Sequence, residues 1–223
     1  MTFSLVARCA ETGMVGAAVA SSSPAVAARC IRVAAGIGAV ASQNVTDPAL
    51  GPRALALMRE GASAAEAVAI LRRGRFAAYR QILAVDRDGN SAAHSGAEAL
   101  GVWAEARDHG VASGGNLLAD IAIPRLIVEA FQASTGHLGD RLLAAMQAGL
   151  AAGGEAGPIH SAGMAIADRV DWPVVDLRCD WSEDDPLGEL GRVWAVYKPQ
   201  IDAYVTRALD PTAAPSFGVP GDR

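Results

Sequence analysis

"MTFSLVARCAETGMVGAAVASSS" (residues 1–23) is the stretch on which the fold turns. Residues 2–9 alternate in the manner of a strand, "ETG" at 11–13 is a turn signal, and the apolar run 14–21 reads as a second strand. Together they predict a β-hairpin. A turn at 11–12 pairs Cys9 with Met14 and sets Ser21 opposite Thr2, whereas a turn at 12–13 sets Ser23 there. Both registers have the same parity, so the same residues share a face in either. Thr2 is expected beside the loop "SSSPAV" that starts at Ser21.

Outward from the hairpin, "GIGAVASQN" (36–44) predicts a third, buried strand. A helix follows from Pro48 or Ala49 to Gly61, and Ser63 with Glu66 forms a capping box that opens a second. "YRQILAVD" (79–86) and "SAAHSG" (91–96) flank the turn "RDGN" as two further strands. "GVASGGN" (110–116) reads as a short strand running into a glycine loop, and 95–110 as pocket-lining loop. Two helices follow, near 120–134 and 138–151, and then a hairpin of "HSAGMAIAD" and "PVVDLRCDW". Residues 184–209 are amphipathic and helical, with Pro199 kinking or splitting them. Residues 210–223, with Pro211, Pro215 and Pro220, predict a mobile tail after a single domain over 1–209. Hairpins separated by helix pairs point to an α+β fold, a four-layer α-β-β-α sandwich with two antiparallel sheets.

Composition narrows the function. Hydrophobic residues make up 51% and charged residues 19%, which predicts a compact globule. Aromatics are only 5%, so alanine and glycine are expected where helices lie tightly on sheets. A net charge of −5 with a single lysine, Lys198, offers no basic surface for nucleic acid. Cys9, Cys30 and Cys179 include no CxxC pair and suggest reduced thiols and a cytoplasmic location, not disulfides or structural zinc. No secretory signal is evident, and no apolar run reaches the roughly 18 residues that suggest a membrane span. His94, His109, His137 and His160 lack metal-ligand spacing, so no metal or other cofactor is expected. "GIGAVA" (36–41) matches a dinucleotide fingerprint on paper, but "SQNVTDP" follows where that motif must open a helix.

Thr2 and "SGGN" (113–116) carry the candidate chemistry. A threonine hydroxyl is a weak nucleophile without a base. With Thr2 as the first residue, its own α-amine, of unperturbed pKa about 7.7–8.0, would lie within reach of Oγ1. Gly115 and Asn116 offer backbone and side-chain N–H donors of the kind that form an oxyanion hole. The bland readings are an ordinary strand start and an ordinary turn. His160, beside Ser161 at a strand start, is the histidine best placed for a site role.

"MTFSLVAR", "ETG", "GAAVASSSPAV", "AGIGAVASQN", "GPRALALMREGASAAEAV", "YRQILAVD", "GNLLA" and "SAGMAIAD" resemble, in order and over about residues 1–185, the family called domain of unknown function 1028. That family is regarded as a branch of the N-terminal nucleophile (Ntn) hydrolases, which cleave amide bonds through an N-terminal Thr, Ser or Cys. The resemblance implies Thr2 as nucleophile, Gly115 and Asn116 as oxyanion donors, and Ser21, Ser22, Gln43 and His160 as residues that orient Thr2 or bind substrate. The family usually has Asp at Cys9 and often Lys or Arg near Ser22, so Arg29 or Arg32 would have to supply positive charge. The expected partner is a small amide or peptide-like substrate, and a homodimer is possible from base rates alone. The alternatives are a non-catalytic Ntn-fold protein that binds a metabolite or joins an assembly, and an enzyme based on Cys9 or Cys30.

Overall fold

The computed structural model describes residues 1–219. β1 (Thr2–Arg8) and β2 (Val15–Ser21) form the expected hairpin. Phe3 pairs with Ala20 and Arg8 with Val15, and the Cys9 N–H donates to the Met14 carbonyl at 2.8 Å. The first of the two registers therefore holds, and one step further along the ladder Thr2 faces Ser21.

The remaining strands are β3 (Ile31–Ala34), β4 (Gly38–Asn44), β5 (Arg80–Asp86), β6 (Ser91–Ser95), β7 (Ala104–Asp108), β8 (Val111–Asn116), β9 (Ser161–Ala167) and β10 (Val175–Cys179). They build a six-stranded sheet in the order β10-β9-β2-β1-β8-β7 and a four-stranded sheet in the order β3-β4-β5-β6. Every pairing is antiparallel. The helices are α1 (Val26–Cys30), α2 (Leu50–Arg59), α3 (Ala64–Leu71), α4 (Ile123–Ala133), α5 (Leu138–Ala151), α6 (Pro186–Tyr197) and α7 (Ile201–Leu209).

Strand parity sorts the buried side chains into separate cores. Phe3, Leu5 and Ala7 of β1 pack with Ile127, Leu142, Met146 and Leu190, filling the space between the larger sheet and α4, α5 and α6. Val40, Ile82 and Ala84 pack with Leu55, Met58 and Val68 of α2 and α3 on the outer face of the smaller sheet. Val6, Ala17, Val19, Ala39, Ala41, Leu83, Val85, Ala112 and Ala165 lie between the two sheets. Many of the alanines line this middle layer, where two pleated surfaces must meet closely, while larger side chains face the helices.

Ser63 accepts from the Glu66 backbone N–H, and Glu66 reaches back to the Ser63 N–H at 2.8 Å, so the expected capping box opens α3. Pro199 falls in a 3-10 turn, Lys198–Gln200, that divides α6 from α7. Three local expectations need correction. The segment 26–34, unassigned in sequence, is a single helical turn followed by a strand, and one turn is too short for 3.6-residue periodicity to show. Within 95–110 lies the strand β7, whose only buried residue is Ala106 because it forms the sheet edge. Residues 113–116 are not a glycine loop but the buried end of β8.

At the C-terminal end, Pro211–Ala213 forms a 3-10 turn, and the Arg207 guanidinium lies 3.6 Å from the centre of the Phe217 ring. Of the expected mobile tail, residues 220–223 lie outside the described residues. No helix among the described residues is long and apolar enough to cross a membrane.

The alanine-rich middle layer has few large groups that can move into a void. Leu83→Ala is expected to cost about 3–5 kcal/mol, the upper part of the range for buried leucines. Urea denaturation of the variant checks this, and a loss below about 1.5 kcal/mol would show that the sheets close over the gap.

Candidate functional site

One end of the middle layer is polar. The parity that sends Val6 between the sheets also sends Ser4 and Thr2 there. Thr2 pairs with Asn116 of β8 on one side and faces Ser21 of β2 on the other, and Ser21 pairs with Ser161 of β9. In the facing sheet, Gln43 pairs with Gln81, and Gln81 with Ser95. Antiparallel register thus gathers polar residues from seven strands at one edge of the sandwich.

Hydrogen bonds join the two sheets at this end. The Ser4 hydroxyl donates to Gln43 Oε1 at 2.6 Å. Gln43 Nε2 donates to Gln81 Oε1 at 2.8 Å and to the Gly114 carbonyl at 3.1 Å. Gln81 Nε2 donates to the Gly115 carbonyl at 2.9 Å and to Ser95 Oγ at 2.9 Å. Asn116 Nδ2 donates to Gln81 Oε1 at 3.3 Å. Both glutamines are fully buried, so each of these bonds answers a group that has no water available.

Thr2 is 7% exposed. Its hydroxyl lies 3.2 Å from Ser21 Oγ, and both hydroxyls donate to the Met1 carbonyl oxygen. The Ser23 N–H donates to Ser21 Oγ at 3.0 Å, which holds Ser21 toward Thr2. Ser161 Oγ donates to the Ser23 carbonyl at 2.6 Å and so fixes the serine loop. Gly115 lies inside the ladder between Phe3 and Ala104. A side chain there would run into Leu118, so glycine allows the segment after β8 to fold back closely.

His160 adjoins the serine loop. Its backbone N–H donates to the Ser21 carbonyl at 2.8 Å, its Nδ1 lies 3.0 Å from the Ser182 carbonyl, and its ring stacks on Trp181 at 4.5 Å. Arg29 donates to the Pro24 and Ala25 carbonyls, and Arg32 to those of Ile31 and Ala28. The two guanidinium groups brace α1 and make no hydrogen bond to Thr2. Burial pushes the Cys30 thiol up, and burial with the neighbouring Glu189 pushes Cys179 to about 11. Neither has the depressed pKa of a reactive thiolate. Cys9 sits at the turn end of its hairpin, away from Thr2. Among the described residues, no group of three or more His, Cys, Asp or Glu is placed to hold a metal ion.

Glu155 is the site residue that sequence reasoning missed. It lies in a run of glycine and alanine, "AAGGEAG" (151–157), with no periodicity to mark it as buried. It is 3% exposed, neither carboxylate oxygen is in a well-aligned hydrogen bond among the described residues, and Ser22 is its polar neighbour. Its backbone is fixed by a bridge to Leu118 and by the neighbouring Ala156 N–H, which donates to the Leu117 carbonyl at 2.8 Å. Leu117 itself has φ +51°, a conformation costly for a bulky residue. The other non-glycine residues with positive φ, Ala25 and Asn44, also border this polar end, following the serine loop and Gln43. Backbone strain of this kind tends to gather at functional sites.

Burial pushes the Glu155 carboxyl from its ordinary 4.5 to about 7, against the opposing pull of the Met1 ammonium, Ser22 and His160. A folded-state pKa above the unfolded value means that the folded protein keeps a proton which the unfolded chain has released. Stability from this source is therefore full below pH 4.5 and falls as pH rises to about 7. Glu155→Gln should match wild type near pH 4 and exceed it at pH 8 by on the order of 3 kcal/mol. Urea denaturation across that range checks this; a difference independent of pH would show that Glu155 ionises normally.

No match was found among curated proteins. A crystal structure of protein SPO2555 from Silicibacter pomeroyi matches with 32% identity and a TM-score of 0.81, covering 87% of this chain and 88% of that one. Anbu, an ancestral β-subunit from Yersinia bercovieri, aligns over 90% of this chain and 96% of its own at 12% identity, with a TM-score of 0.37 too low to bear on the fold. The model of the family of unknown function DUF1028 matches residues 2–190, and the Silicibacter pomeroyi protein carries the same family assignment. The chain belongs to the DUF1028 family.

Proposed function

We propose that this protein is an Ntn-type amidohydrolase in which Thr2, freed of the residue before it, cleaves a small amide or peptide-like substrate. The observation that carries the reading is the placement of the Thr2 hydroxyl. It lies against a carbonyl oxygen that Ser21 also holds, with Asn116 paired to it across the ladder.

Removal of Met1 leaves the Thr2 α-amine free. In its neutral form the amine takes the proton from Oγ1 while Oγ1 attacks the substrate carbonyl carbon. The tetrahedral oxyanion collapses, the C–N bond breaks, and the amine passes its proton to the leaving nitrogen. The acyl group is then an ester on Thr2. Water, deprotonated by the same amine, attacks that ester; the bond from the acyl carbon to Oγ1 breaks, Oγ1 takes the proton back from the amine, and the acid is released. Asn116 Nδ2 is the side-chain donor for the oxyanion, and its present bond to Gln81 is long enough to be exchanged at small cost. Gly115 serves by allowing the close backbone approach beside Asn116. Ser21 orients Oγ1, Gln43 holds β8 in place, and Ser22 and His160 border the substrate.

The far-off position of Cys9 bears on the non-catalytic alternative: its identity does not alter the surroundings of Thr2. Active protein should begin at Thr2 by intact-mass analysis, and Thr2→Ala should abolish turnover and labelling by a β-lactone. Full activity in protein that retains Met1 rejects the mechanism. Asn116→Ala is expected to lower kcat by about 10²–10³ with a small change in KM, the loss typical of one oxyanion donor. A change confined to KM would assign Asn116 to ground-state binding.

A further inference from the structure

We propose that the space filled by Met1 is the acyl subsite, and that it takes an α-amino acyl group whose free ammonium is received by Glu155. The inference rests on the Thr2 reading and adds the class of substrate: amides, including peptides, of an unblocked α-amino acid.

Met1 occupies the ground next to the nucleophile as a substrate would. Its carbonyl oxygen is held by Thr2 and Ser21. Its side chain reaches toward Gly157, where a Cβ would lie 3.1 Å from Met1 Cε and 3.6 Å from Sδ. Its ammonium is the charged group that most favours the Glu155 anion. When Met1 leaves, a space of the size of an amino acid opens beside Oγ1, with a carboxylate in its wall.

That carboxylate calls for a cation. A buried anion is costly unless it is paired, and a native protein answers it with a neighbouring group, a bound water, an ion or a ligand. Among the described residues Ser22, His160 and the Met1 ammonium favour that anion, and the ammonium goes with Met1; Lys198 pairs with Asp140, and Arg29 and Arg32 are tied to carbonyls around α1. The Leu118 bridge and the strained Leu117 fix Glu155 relative to Asn116, so the carboxylate and the oxyanion donor form one rigid unit. Beside a neutral acyl group the buried carboxyl would keep its proton. An α-ammonium supplies the missing charge and three N–H donors. Gly157 leaves room for the side chain attached to the same carbon.

The test uses protein that begins at Thr2. Turnover of L-methionyl-7-amido-4-methylcoumarin is compared with that of its N-acetyl counterpart, and binding of L-methioninamide and N-acetyl-L-methioninamide is measured by calorimetry on the Thr2→Ala variant. The expected result is a kcat/KM at least about 30-fold higher for the free amine, and binding of methioninamide alone. Glu155→Gln should reduce the preference to within a few-fold while the protein stays folded. Gly157→Val should lower turnover of the methionyl substrate relative to the glycyl one, a second readout that spares the carboxylate. Equal turnover of free and acetylated substrates overturns the inference. So does a Glu155→Gln variant that slows both alike, because Glu155 would then serve the Thr2 amine. Binding of methioninamide without turnover by the Thr2 protein supports the subsite and rejects Thr2 as nucleophile.

Discussion

The Gln43 side chain, buried between two sheets, is the point on which the site depends. Elsewhere in the middle layer, alanines and valines let the sheets approach with no need for specific partners. At this end an amide is buried, and its cost is met only because each of its atoms is answered: Ser4 donates to its oxygen, and its nitrogen donates to Gln81 and to the Gly114 carbonyl. Gln81 answers in turn to Gly115, Ser95 and Asn116. Loss of either glutamine would strand the others, and an unsatisfied buried amide costs more than the bond itself contributed. The network is therefore cooperative, and what it holds in place is the end of β8. Apolar contacts alone would permit the sheets to slide; directional bonds to the Gly114 and Gly115 carbonyls set Asn116 at the level of Thr2.

Much of this architecture can be read before any coordinates. The hairpin parity is set by period-two alternation and survives uncertainty in the turn, so the face that Thr2 shares with the serine loop follows from residues 1–23. Ser63 and Glu66 announce their helix because a capping box is a local arrangement with a local signature. Elements escape notice where locality fails. α1 is one turn long, and β7 presents "AEARD" to solvent because its outer edge has no neighbour. "SGGN" looks like a loop because glycine is rare in strands; it is a strand whose glycines are needed because Leu83 crowds position 114 and Leu118 fills position 115.

Within the site, hairpin alternation places Thr2 beside Ser21; Asn116, read as a loop residue, joins them through the β1–β8 pairing, and Gln43, which rests on the family resemblance, through the Ser4 hydrogen bond from the facing sheet. Ser22 and His160 follow from adjacency to that loop. Glu155 does not follow from anything local. Its burial comes from a bridge to Leu118, thirty-odd positions earlier, across two helices that the periodicity marks only as helices. A lone glutamate among glycines and alanines looks like a solvated turn, and only the tertiary contact reverses that expectation.

The two surprises, Glu155 and Leu117, have one physical root. The chain leaves β8 at Asn116 and must turn at once to bring residues 118–119 against 154–155. Gly101 permits the approach, since any side chain there would meet Leu117, and Leu117 takes the left-handed conformation that such a reversal demands. A glycine at 117 would relieve that strain but would also loosen the turn, and with it the distance between Asn116 and Glu155. The strained residue therefore trades stability for a fixed spacing. Fixed spacing matters where an anion and a hydrogen-bond donor must act on one small molecule, because preorganised groups need not rearrange as charge develops. The same sandwich built for stability alone would have neither a buried carboxyl at this end nor a bulky residue at positive φ beside it. Both costs fall within a few residues of Thr2, at the end of the middle layer where the sheets expose polar rather than apolar side chains to each other.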